Sequence, residues 1–101
     1  MSLAQETRQV EVVNEYGLHA RPAMQLVELA NQFASSVEVS NGPVKVDAKS
    51  IMSVMRLAAT CGTQLTIVAD GEDATQACEA LVALIADGFG PLEKESSSGT
   101  N

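Results

Sequence analysis

The sequence predicts an α/β (α+β) fold: a two-layer, open-faced sandwich with three helices on one face of a four-stranded, mainly antiparallel sheet, in the order βαββαβα. Three observations predict it. Hydrophobic periods of two and of about 3.6 residues alternate along the chain. Two short alternating segments are joined by the tight turn Asn41-Gly42-Pro43, as in a β-hairpin. If one sheet face is solvated, every helix must cover the other, and right-handed crossovers then narrow the topology to a two-layer sandwich.

Each element has its own signal. Thr7 to Val13, with Val10, Val12 and Val13, reads as a strand, and NEYG after it reads as a loop. Pro22 to Phe33 turns helical: Leu26, Ala30 and Phe33 share a stripe, with Ala23 and Val27 beside it. Val37 and Val39 alternate with polar neighbours, as do Val44, Val46 and Ala48. Ser50 to Ala59 reads as a short helix with Ser50 as its N-cap, broken by Cys61-Gly62-Thr63. Leu65, Ile67 and Ala69 mark the fourth strand. Asp73, three residues before Gln76, resembles a capping box. Ala74, Ala77, Cys78, Leu81, Leu84 and Ile85 form the apolar face of the last helix.

Composition sets outer bounds. The 101 residues, 46% hydrophobic, suit one small domain rather than a disordered chain. That domain is expected over residues 1–90, with a polar, Ser-rich and flexible tail over 91–101. Thirteen acidic residues against six basic ones leave a net charge of −7, which disfavours nucleic acid and anionic membrane surfaces. No apolar run suggests membrane insertion. MSLAQETRQV lacks the features of a secretory signal, so a cytoplasmic setting is expected. Cys61 and Cys78 then read as reduced, semi-buried thiols. With one histidine and this cysteine spacing there is no metal site pattern, and no cofactor is expected.

The chemistry concentrates in Asn14 to Ala23, NEYGLHARPA. With His19 as the N-cap, Ala20, Arg21 and Pro22 are the first helical residues, and proline is tolerated there. The amides of Ala20 and Arg21 then point outward at a positive helix start. An anion carried on His19 would meet those amides, the dipole and the Arg21 guanidinium together. A phosphoryl group is the anion that a neutral imidazole can accept covalently. Taken alone, a histidine at a helix start is as readily an ordinary cap or surface residue, and Arg21 a solvated charge.

The segment Gly17-Leu18-His19-Ala20-Arg21-Pro22-Ala23 resembles the active-site segment of the HPr family, the histidine-containing phosphocarriers of the bacterial phosphoenolpyruvate:sugar phosphotransferase system. Lys49-Ser50-Ile51-Met52-Ser53-Val54-Met55 resembles the family's regulatory-serine segment. Gly62-Thr63, Thr66-Ile67 and Asp70-Gly71-Glu72-Asp73 resemble its last strand and turn. The resemblance covers about residues 7 to 88. It implies that His19 is phosphorylated on Nδ1 by phosphorylated enzyme I and passes the group to an enzyme IIA domain. Arg21 and the Ala20 and Arg21 amides would stabilise the phosphoryl charge. The protein would be a stoichiometric carrier rather than an enzyme, and a monomer.

The resemblance also implies phosphorylation of Ser50 by an HPr kinase/phosphorylase, with transcriptional regulators as readers; Ser53 is a nearby decoy. It implies docking through two helix faces, where Met24, Val27, Ile51, Met52 and Met55 would form an apolar patch. Leu26, Ala30, Phe33, Val54 and Leu57 are left to fill the core. Soft methionines suit a surface that meets several partners. Some relatives carry lysines on these faces, whereas this chain has Glu28, Asn31 and Ser53, with Arg56 as partial compensation. Electrostatic steering toward an acidic partner is therefore expected to be weaker. The alternatives are a regulatory or nitrogen-related phosphorelay paralogue and, in another class, a ferredoxin-like ligand-binding or assembly module that does not need His19 or Arg21.

Overall fold

Alternation of small aliphatic and polar residues builds the sheet. The structure, a computed structural model, describes residues 4–89. Its elements are β1 (Gln5–Glu11), α1 (Ala20–Ala30), β2 (Ser36–Asn41), β3 (Val44–Asp47), α2 (Ile51–Met55), β4 (Gln64–Asp70) and α3 (Ala74–Ala86). The expected order βαββαβα is observed. The strands lie in the order β1-β4-β2-β3, and every neighbouring pair is antiparallel. α1 thus carries the chain from β1 to β2 across the place taken by β4. α2 likewise links β3 to β4 across β2.

Val10, Val37, Val39, Val46, Leu65, Ile67 and Ala69 turn one way and are buried. Leu26, Ala30, Val54, Leu81 and Ile85 cover them from the helices. Each large aliphatic side chain buried in this way contributes roughly 1.5–3 kcal/mol. On the opposite face Thr7, Gln9, Glu38 and Gln64 are exposed, so the sandwich is open on that side. No helix among the described residues is long and apolar enough to cross a membrane.

Several boundaries differ from the sequence expectation. β1 runs Gln5–Glu11 rather than Thr7 to Val13, because its ladder with β4 ends where Glu11 meets Gln64. Val12 then leaves the strand but stays buried, bonding Thr63 O at 2.9 Å and accepting from Gly62 N–H at 2.7 Å. Val13 is exposed. Glu6 and Arg8 occupy inward positions on this edge strand and pair at 2.8 Å. The guanidinium holds the Glu6 carboxyl below its ordinary range. Inward charges on an edge strand discourage pairing with another chain.

α1 begins at Ala20 and ends at Ala30, short of Phe33. Asn31 caps it, and Lys49 Nζ donates to Phe33 O at 2.7 Å, which turns that backbone away from the helix. Phe33 is half-buried against the core rather than inside it. α2 is five residues long, not ten. Leu57 and Ala59 are both buried, and the chain reaches that arrangement through Ala58 at φ 51°. Asp73 precedes α3, but the expected capping box does not form. Its carboxylate instead accepts from Ala34 N–H and Ser35 N–H, both at 2.9 Å, and from the Ser35 hydroxyl.

α3 closes with Phe89 N–H on Leu84 O at 2.8 Å and Gly88 N–H on Ile85 O at 3.0 Å, a Schellman arrangement that buries Phe89. The tail expected over 91–101 lies outside the described residues. Both cysteines are free thiols: Cys78 is buried, whereas Cys61 is exposed rather than semi-buried. Burial pushes the Cys78 thiol pKa up.

Candidate functional site

A braced turn leads into α1. Asn14 is buried, and its Nδ2 donates to Gly17 O at 2.6 Å while Gly17 N–H returns to Asn14 O at 3.1 Å. Gly17 sits at φ 67°, with its backbone against the Ala59 carbonyl; a Cβ here would lie 2.5 Å from that oxygen. Leu18 is buried and donates its amide to the same Ala59 carbonyl at 3.0 Å. The residue before His19 is therefore anchored twice, by side-chain burial and by a backbone bond.

His19 is the N-cap of α1, with extended backbone (φ −82°, ψ −169°) and no capping bond from its side chain. Ala23 N–H meets His19 O at 3.0 Å, the first bond of the helix ladder. The amides of Ala20 and Arg21 precede that ladder, and Pro22 has no amide hydrogen to leave unpaired. Pro22 is buried, whereas His19, Ala20 and Arg21 are exposed. The first turn of α1 holds no acidic residue. Among the described residues the one ion pair is Glu6–Arg8, so the Arg21 guanidinium is paired with none of their carboxylates. An anion on the imidazole would meet a helix start and a guanidinium in accessible positions.

Ser50 caps α2. Its Oγ accepts Ser53 N–H at 3.3 Å, and Val54 N–H meets Ser50 O at 2.9 Å. It stands at the far end of the helix pair from His19. Asn31, at the end of α1, donates through Nδ2 to Lys49 O at 3.2 Å, whereas Leu18 at its start meets Ala59 beyond α2. The eleven residues of α1 span roughly 16 Å. The two sequence-singled residues are thus separated along the helix, not brought into one site.

Met24, Ile51, Met52 and Met55 are all exposed on the two packed helices, Met52 to 78%. Val27 is only half-buried and packs partly on the core, so it contributes less to the patch than the methionines. Glu28 and Arg56 are exposed, while Asn31 is engaged with Val27 O and Lys49 O. Sequence reasoning passed over Tyr16, whose ring stands 6.3 Å from that of His19. It also passed over the brace at Asn14. The signal for that brace was present: Asn at the first and Gly at the fourth position of NEYG is turn chemistry.

Three comparisons bear on this arrangement. The family model described as PTS HPr component phosphorylation site matches residues 6–87. The phosphocarrier protein HPr of Cupriavidus necator is 48% identical over 86 residues, covering 85% of this chain and 97% of the relative. The HPr-like protein Crh of Bacillus subtilis is 46% identical over 78 residues, 77% of this chain and 92% of the relative. The crystal structure of HPr-C-His from Thermoanaerobacter tengcongensis superposes with a TM-score of 0.81 at 41% identity, covering 84% of this chain and 96% of the other. With the helix-start histidine, its neighbouring arginine and the βαββαβα sheet order in place, the chain belongs to the HPr family of phosphocarriers of the phosphotransferase system.

Proposed function

We propose that His19 accepts a phosphoryl group from phosphorylated enzyme I and passes it to an enzyme IIA domain. The imidazole supplies the electron pair, and the bond from phosphorus to the donor breaks as the bond to His19 forms. Transfer onward reverses these roles, so the protein is regenerated and acts as a carrier rather than an enzyme. Arg21 stabilises the phosphoryl oxygens, and the Ala20 and Arg21 amides add the field of the helix start. Met24, Ile51, Met52, Met55 and part of Val27 form the docking surface. The working unit is a monomer made of the single domain over residues 1–90, in the cytoplasm.

The observation that carries this reading is that His19 and Arg21 are both exposed at the start of α1, whose first turn holds no acidic residue and which also bears the exposed Met24. Ser50 adds a second, regulatory reading. It caps a helix on the same surface, where a phosphate would be tolerated by the helix start and would add charge to the docking face. Phosphorylation there by an HPr kinase/phosphorylase would regulate docking and be read by transcriptional regulators. Similarity to a Crh protein favours, as the runner-up, a regulatory paralogue that works mainly through this serine.

The test is incubation with enzyme I, phosphoenolpyruvate and Mg²⁺, using the full chain, His19→Ala and Arg21→Ala. Acid-labile label is expected on the full chain and absent from His19→Ala. Arg21→Ala is expected to be labelled on the order of 100-fold more slowly, the scale of losing one transition-state charge partner. Absence of label on the full chain, with an enzyme I shown to be active, would transfer the weight to the regulatory reading.

A further inference from the structure

We propose that Tyr16 is a positioning residue that holds the His19 imidazole in one orientation at the start of α1. Its consequence for transfer rests on the reading of His19 as acceptor; the ring geometry does not. The two ring centroids are 6.3 Å apart and the planes cross at 77°, an edge-on pair. Such pairs attract at centroid separations of about 4.5–7 Å. Tyr16 is 77% exposed, so burial in the core does not explain where its ring sits.

The backbone around Tyr16 explains it. Asn14 and Gly17 bond each other on either side, Gly17 lies against Ala59, and Leu18 is tied to the Ala59 carbonyl. Tyr16 is thereby held on a rigid turn three residues before His19. The imidazole is not used as a side-chain cap of α1, and its ring faces the edge of Tyr16. A nucleophile that reacts through one ring nitrogen must present it in line, and small misorientations cost rate. The edge-on Tyr16 ring narrows the rotation open to the imidazole.

Tyr16→Phe and Tyr16→Leu separate the ring from the hydroxyl and from side-chain bulk. The chain has a single histidine, so the His19 ring protons and side-chain couplings can be assigned by NMR in the full chain. Tyr16→Leu is expected to move the His19 ring resonances and to average its side-chain couplings. It should slow phosphoryl acceptance about two- to tenfold, the rate equivalent of one aromatic pair. Tyr16→Phe should resemble the parent in all three readouts. Unaltered couplings in Tyr16→Leu would overturn the proposal, as would an unaltered rate in a parent that is labelled, or a Tyr16→Phe that behaves like Tyr16→Leu. If the parent takes no label, the acceptor reading fails by itself, and the couplings alone decide whether Tyr16 holds the ring.

Discussion

The amide of Leu18 donates to the carbonyl of Ala59 at 3.0 Å, and this bond joins the loop before α1 to the segment that follows α2. It explains why α2 is short. A helix continued to Ala59 would turn that carbonyl into its own ladder, whereas the left-handed Ala58 releases it toward Leu18. The same carbonyl lies against Gly17, so the approach to His19 depends on a residue about forty positions away in sequence.

Gly17→Ala follows directly. The new methyl would stand 2.5 Å from Ala59 O and 2.8 Å from Thr60 Cα, both backbone atoms that cannot move aside cheaply. The φ of 67° adds about 1–2 kcal/mol for a residue with a Cβ. A total loss of at least about 2 kcal/mol is expected, lowering the thermal midpoint by about 10 °C. Circular dichroism melting checks it, and a midpoint equal to the parent would show that the turn is not pinned against Ala59.

What the sequence makes legible here is what periodicity encodes. Val37, Val39, Leu65, Ile67 and Ala69 alternate, and each is buried as expected. Pro22 and the positions before it locate the start of α1, because proline is favoured only in a first turn. Long-range pairing is what local patterns do not encode. Asp73 has the sequence of a cap, yet its carboxylate turns to Ala34 and Ser35, 39 and 38 residues back. Ala58 and Ala59 read as helix because the partner that competes for the Ala59 carbonyl, Leu18, lies far away in the chain. Phe89 follows a glycine that ends the helix, and only the Schellman geometry brings it back into the core. At the site, His19 and Arg21 were legible from local helix-start chemistry; the Tyr16 contact was not, since it depends on how the turn is held.

Asp73 predicts an acid sensitivity. Bonds from Ser35 and from the Ala34 amide hold its carboxyl below the ordinary value of 3.8. A group whose pKa is depressed by folding stabilises the native state above the unfolded pKa, and loses that contribution as pH falls through the folded one. Asp73→Ala should therefore be less stable than the parent at neutral pH, with the gap narrowing progressively below about pH 4. Urea unfolding at a series of pH values measures it. A gap that stays constant down to pH 2 would show that the charged carboxylate is not what bridges the two loops.

The thiols should differ in reactivity. Cys61 is exposed, with Sγ at 3.7 Å from Val13 O, whereas Cys78 is enclosed between α3 and the sheet and its pKa is raised by burial. An Ellman assay on the native protein should release one equivalent quickly, and the second only on addition of denaturant. Two fast equivalents would mean that α3 opens readily from the sheet.

Ser50 offers a way to separate capping from charge. Its Oγ accepts Ser53 N–H, so Ser50→Ala should cost about 1 kcal/mol and lower the melting midpoint by about 4–8 °C. Ser50→Asp keeps a capping oxygen and places a negative charge at a helix start, where it is favourable, so the midpoint should stay near that of the parent. Phosphoryl acceptance should show the opposite order. The alanine variant, neutral on the docking face, should be phosphorylated at the parent rate once folded, whereas the aspartate should slow encounter with an acidic enzyme I. That slowing should be largest at low salt, because Ser50 lies at the far end of α1 from His19 and its charge acts through the docking surface. Equal rates for both variants at low and high salt would leave Ser50 with its capping role alone.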